Sequence, residues 1–162
     1  MEIPIPLLYT FQFPVQAPVL PYTRFALAQK VRVMYGLIPH EGIVYSLNWN
    51  YDTQEWEIKI AHLSKSGGGV CVSSLEEFAE GNTVDIIGWA TSPESQEWIV
   101  ENINIALRWQ LTNGGIPYHV HDQNCQHFTS WAYGEKPNSK SLDVLKVAAG
   151  VGVAIWFWGR KN

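Results

Sequence analysis

Apolar and polar residues alternate through 30–36, "KVRVMYG". That period of two predicts a strand, because successive side chains point to opposite faces. Two longer β-rich runs follow, "GIVYSLNW" at 42–49 and "EWEIKIAHLS" at 55–64. The turn formers of "NYDTQ" separate them, so the pair reads as a hairpin. A glycine-rich turn, "SGGG" at 66–69, leads into a short strand, "VCVSS". Ser74 and Glu77 then match a capping box, which predicts a short helix ending at Gly81. "TVDIIGW", 83–89, is a further strand. The period changes to the helical one over 93–112, where Ile99, Ile103, Ala106, Leu107 and Leu111 recur on one face. Thr91 and Glu94 fit a capping box for that helix, and Pro93 suits its first turn. "NGG" at 113–115 ends it. A second helix is predicted from Cys125 to Tyr133, with Gly134 as its stop.

This order predicts one α+β domain, a small antiparallel β-sheet with packed helices. The chain has 162 residues, which fits a single domain with its own core. The flanks differ in character. Residues 1–30 form a proline-rich arm that reads as extended chain packed on the domain. Residues 31–142 hold the patterned elements. Residues 143–162 form a hydrophobic tail, uncharged from Val147 to Trp158 and followed by Arg160 and Lys161. Twelve residues are too few to span a bilayer, which needs ~20. The tail is therefore either a buried terminal element or a segment, 147–161, that contacts a membrane surface or a partner.

Composition narrows the function. The net charge of −4 and the absence of a basic stripe argue against nucleic acid as a partner. Two cysteines are too few for a disulfide scaffold, and the opening residues do not resemble a signal peptide. A cytoplasmic protein is the simpler reading. Eight tryptophans are many for this length, and most are expected in the core.

The densest chemistry lies in "HVHDQNCQHF", His119–Phe128. As a zinc site it would need His119, His121, Cys125 and His127 to converge. The first two alternate on an extended segment, and the last two lie two apart on a helix, so convergence is disfavoured. As a nucleophile site it is better formed. Asp122 or Asn124 caps the helix and places Cys125 in its first turn, where helix N–H groups lower a thiol pKa and can hold an oxyanion. His127 then reads as a buried hydrogen-bonding residue, His119 and His121 as rim residues, and Cys71 as a core thiol. No cofactor or metal is called for.

A cysteine nucleophile needs a base, and the base an orienting group. His40 begins one strand of the hairpin and His62 ends the other. Pairing around Tyr51 would set the two rings across from one another. Their equal parity keeps them on one face unless a bulge intervenes. His40 is the candidate base and His62 the group that fixes its tautomer.

"NCQHF", then "YG" and "NSKSLD", resembles the signature of the lecithin retinol acyltransferase-like family. "HEGIVYS" and "IAHLS" resemble its two histidine strands, and "SSLEEFAEGNTVDII" the block that follows them. The resemblance covers roughly 31–142. It implies a circularly permuted NlpC/papain-like fold with Cys125 as nucleophile, His40 as base and His62 as third member. It also implies transfer of acyl chains from a phospholipid or other acyl ester, through a thioester, to water, an amine or an alcohol. The chain departs from the pattern at Gln126, where the family carries Glu, and in the 22-residue spacing of the histidines. Residues 1–30 lack the family's Gly-Asp block, and Ile38 and Pro39 stand where members carry Tyr or another polar residue. Two other readings stay open: a thiol peptidase or amidase on the same scaffold, and an inactive, membrane-associated binding module.

Overall fold

The computed structural model describes residues 20–64, 68–113 and 124–135. Five strands form one antiparallel sheet in the order β4-β3-β2-β1-β5: β1 (Lys30–Tyr35), β2 (Ile38–Asn50), β3 (Glu55–Ser64), β4 (Gly69–Ser74) and β5 (Val84–Gly88). Among the described residues three helices pack with the sheet in this α+β arrangement: α1 (Leu75–Ala79), α2 (Pro93–Asn113) and α3 (Cys125–Ala132).

Each face of the sheet carries its own core. Ile43, Ala61, Leu63 and Val70 pack with Ile99 and Ile103 of α2 and with Phe128 and Ala132 of α3. Val31, Val33, Val44 and Ile60 pack on the opposite face with Phe78 of α1. Part of the arm joins this second core: Phe25 is buried there, and Arg24 donates to the Val84 carbonyl at 2.7 Å. Residues 1–19 and the tail lie outside the described residues. Among the described residues no helix is long and apolar enough to cross a membrane.

The ends of the elements follow local chemistry. The Ser74–Glu77 capping box at α1 forms as expected, with Glu80 in the left-handed region after it. At α2 the box moves by one residue. Ser92 and Ser95 exchange the hydrogen bonds, at 2.9 and 3.2 Å, in place of Thr91 and Glu94. A serine at the third position does the work because its short hydroxyl reaches back to the cap N–H.

The helical face is also shorter than its sequence suggests. Ile99, Ile103 and Ala106 are buried, but Leu111 is 86% exposed, next to Gln110, whose side chain accepts from the Val70 N–H of β4. The tryptophans depart furthest from expectation. Trp89, Trp98, Trp109 and Trp131 are exposed, and Trp49 and Trp56 are half-buried. Aliphatic residues and the phenylalanines Phe25, Phe78 and Phe128 fill the two cores instead.

The hairpin register decides where the histidines lie. The ladder closes on Asn50↔Glu55, so the turn centres between Asp52 and Thr53, not on Tyr51. An uninterrupted ladder would pair His62 with Ile43 and send His40 to the opposite face. A bulge at Tyr45 inserts one residue and restores the parity. His62 therefore opposes Gly42, with His40 two residues along on the same face. No side chain fits at Gly42: a Cβ there would lie 2.5 Å from Ile60 Cγ2 and 3.0 Å from Phe78. That close approach lets the Phe78 ring reach both imidazoles.

Candidate active site

His40 Nε2 and His62 Nδ1 are 2.9 Å apart, with the rings edge to face. Phe78 packs against both, with centroids 5.2 and 5.3 Å away, and Tyr35 lies 5.8 Å from His40. The expectation of rings directly across from one another is corrected to a diagonal pair. The contact survives because diagonal neighbours on one face stay within reach of long or ring side chains.

Cys125 opens α3, and Asn124 is the cap. The Asn124 side-chain oxygen accepts from the N–H groups of Gln126 and His127 at 3.0 and 3.1 Å. The thiol is buried, 3.9 Å from the Pro39 carbonyl oxygen, and meets the backbone N–H of Glu41. These groups belong to the two peptide units that flank His40. The ladder from β2 to β3 ends at Gly42↔His62, so this stretch of strand edge faces the helix start instead of a strand. The structure thus brings His40 and His62 into a hydrogen bond and brings Cys125 to the backbone of His40. Among the described residues no hydrogen bond joins the thiol to either ring.

Electrostatics differ from the sequence expectation. Burial pushes the Cys125 thiol up. The backbone N–H of Glu41 opposes this, the Glu41 carboxylate reinforces it, and the N–H groups of Gln126 and Cys125 oppose it. The helix start acts in the expected direction, but desolvation outweighs it. Burial holds His40 below the ordinary imidazole range, against the Glu41 carboxylate, which raises it. Burial and then the charge of His40 lower His62 to about 4. Both directions favour a neutral thiol and a neutral His40 imidazole over an ion pair.

Glu41 carried no role in the sequence, yet it ties α3 to the sheet. Its buried carboxylate accepts from Arg32 at 2.7 Å, from Gln126 Nε2 at 3.3 Å and from Thr129 Oγ1 at 2.9 Å. This accounts for Gln126. A glutamate there would set a second carboxylate against Glu41, whereas the amide donates to it. Gln126→Glu is expected to cost about 1–3 kcal/mol at pH 7, the penalty of an unmatched buried polar group. Glu41→Gln in the same chain should recover most of the loss. Urea midpoints of the single and double variants check this, and an unchanged single variant would contradict it.

A cleft of about 480 Å³ beside α3 is lined by Lys30, Arg32, Glu41, Gln126 and Glu135 among others. Its lining includes neither imidazole nor the thiol.

The remaining candidates fall as follows. Among the described residues, His127 Nδ1 is buried without a hydrogen-bond partner. His119 and His121 lie outside the described residues. No group of three His, Cys, Asp or Glu among the described residues is placed to hold a metal ion. Cys71 and Cys125 are both unbridged thiols. Cys71 does not sit in the apolar core. It is half-buried and opposes His62 in register, with Sγ 3.4 Å from Nε2. Ser73 Oγ lies 2.9 Å from the same nitrogen. The period of two in "GVCVSS" could have placed both residues on the face of His62. Comparison with known proteins gives no matching family model and no match to a curated protein.

Proposed function

We propose that the protein is a cysteine-dependent acyltransferase or lipid acyl hydrolase working through an acyl-thioester on Cys125. The observation that carries this is one arrangement. Two hydrogen-bonded imidazoles stand on β2 and β3, and the peptide groups flanking the first of them meet the thiol at the start of α3.

In the proposed reaction, His40 Nδ1 takes the thiol proton as sulfur attacks the ester carbonyl. An S–C bond forms, and the carbonyl oxygen gains the electron pair beside the Cys125 N–H, the Gln126 and His127 N–H groups being taken by the Asn124 cap. As the tetrahedral centre collapses, the ester C–O bond breaks. The leaving alcohol takes the proton back from the His40 imidazolium. His62 accepts from His40 Nε2–H and stabilises that cation. Water, an amine or an alcohol then attacks the thioester by the same steps in reverse. The order of histidine strands before cysteine helix is that of a circularly permuted NlpC/papain-like domain of the lecithin retinol acyltransferase-like family. Phospholipid is the donor this resemblance favours, with 147–161 as the segment contacting the membrane surface and the cytoplasm as the compartment.

Incubation with a phospholipid and intact-mass measurement tests the reading. Wild type is expected to gain one acyl mass, and Cys125→Ser none. Absence of any adduct together with cleavage of a peptide amide would favour the thiol peptidase or amidase reading instead.

A further inference from the structure

The acyl-transfer reading uses His40 and His62 but leaves unexplained what His62 does with its second nitrogen. That nitrogen, Nε2, lies 2.9 Å from Ser73 Oγ. The β3–β4 register pairs His62 with Cys71 and Ile60 with Ser73, so Cys71 and Ser73 share the face of the two imidazoles. A line of groups runs across three strands: His40, His62, Ser73, with Cys71 beside the last two.

We propose that Ser73 is a positioning residue whose hydroxyl accepts the His62 Nε2–H and thereby fixes the tautomer of both imidazoles, leaving His40 Nδ1 as the base. The inference rests on the acyl-transfer reading. A neutral imidazole has one N–H donor and one acceptor nitrogen. With Nε2–H of His62 given to Ser73, Nδ1 of His62 can only accept. His40 must then donate from Nε2, and its lone pair is on Nδ1. In the opposite polarity His62 donates from Nδ1, His40 carries its proton on Nδ1, and no nitrogen remains to take the thiol proton. The direction of the line thus decides whether the site holds a base.

A serine hydroxyl can point either way; in the proposed direction its proton turns toward the neighbouring Cys71 sulfur, a weak acceptor, and its lone pairs face His62. Ser73 is the better acceptor for His62, since its oxygen is at 2.9 Å while the weakly accepting sulfur is at 3.4 Å. Among the described residues, the other titratable groups around the line are Tyr35 of β1, Glu41 of β2 and Cys125 of α3. None of them hydrogen-bonds to His62 Nε2.

Nitrogen-15 NMR of the imidazole rings at pH ~8 tests the proposal, with both histidines neutral. Wild type is expected to show His40 and His62 both protonated on Nε2. Ser73→Ala should mix the tautomers of His62 and then of His40. It should slow iodoacetamide alkylation of Cys125 by about tenfold or more, short of the ~10⁴-fold that a wholly wrong tautomer costs, with KM for a phospholipid substrate unchanged. Ser73→Thr should restore both the tautomers and the rate. Suppose His40→Ala slows alkylation while Ser73→Ala keeps wild-type tautomers and rate: the role of Ser73 is then overturned and the nucleophile–base reading stands. Suppose His40→Ala leaves alkylation unchanged: the nucleophile–base reading falls and takes the role of Ser73 with it.

Discussion

His40→Ala is expected to slow alkylation and acylation of Cys125 at pH 7 by 10²–10⁴-fold, the usual worth of a general base. The loss is large because the resting partners are both neutral. Burial pushes the Cys125 thiol up and holds His40 down, so little thiolate exists before attack. A preformed ion pair would leave some reactivity without the base; a neutral thiol leaves almost none. The gap should close as pH rises, because hydroxide then removes the proton that His40 no longer takes. Mass-spectrometric rates for the Cys125 peptide, with Cys71 as internal reference, measure both effects. A constant gap from pH 7 to ~10 would contradict the neutral resting state.

Stability is expected to fall by roughly 3 kcal/mol as pH drops from 6.5 to about 4, from His62 alone. The sign follows from proton uptake. In the unfolded chain His62 binds its proton near 6.5, whereas in the fold burial and the charge of His40 delay this until about 4. Between those values the unfolded state holds more protons, so acid favours unfolding. Above 6.5 the stability is fully present, and below about 4 this group takes nothing further. His40, also held low by burial, acts in the same direction. Urea midpoints at pH 7.5 and 4.5 should differ accordingly. His62→Gln, which does not titrate, should remove most of the difference. Equal pH dependence in the variant would place the acid sensitivity elsewhere.

Much of this architecture was legible because it depends on local rules. The run "EWEIKIAHLS" predicted β3 residue for residue, and the Ser74–Glu77 box placed α1. Asn124 was one of two caps considered for α3, and its oxygen does accept from the second and third residues of that turn.

What escaped depends on tertiary placement. Equal parity suggested that the two histidines share a face, but around this turn they do so only because of the bulge at Tyr45, and no local signal marks a bulge in "GIVYSLNW". The N–H groups at the start of α3 act on Cys125 in the expected direction. Burial outweighs them and is not legible locally, since desolvation depends on what packs over the sulfur. Trp98 and Trp109 stay about half exposed on α2, Trp98 with its ring against Gly134, although aromatic bulk suggested core. Glu41 had no visible partner in the chain order, because Arg32, Gln126 and Thr129 come from another strand and a distant helix. Ser73 and Cys71 were hidden for a related reason. Their alternation was plain, but the glycine-rich turn at 66–69 left their register against His62 open.

Acylation of Cys125 is read most directly from the intact mass of the full chain after incubation with a phospholipid. Wild type is expected to gain one acyl mass, placed on Cys125 by peptide mapping and lost on treatment with hydroxylamine. Cys125→Ser is expected to gain none, and His40→Ala a strongly reduced amount. An unmodified wild-type chain, or an acyl group carried equally by Cys125→Ser, would rule out Cys125 as the acyl carrier.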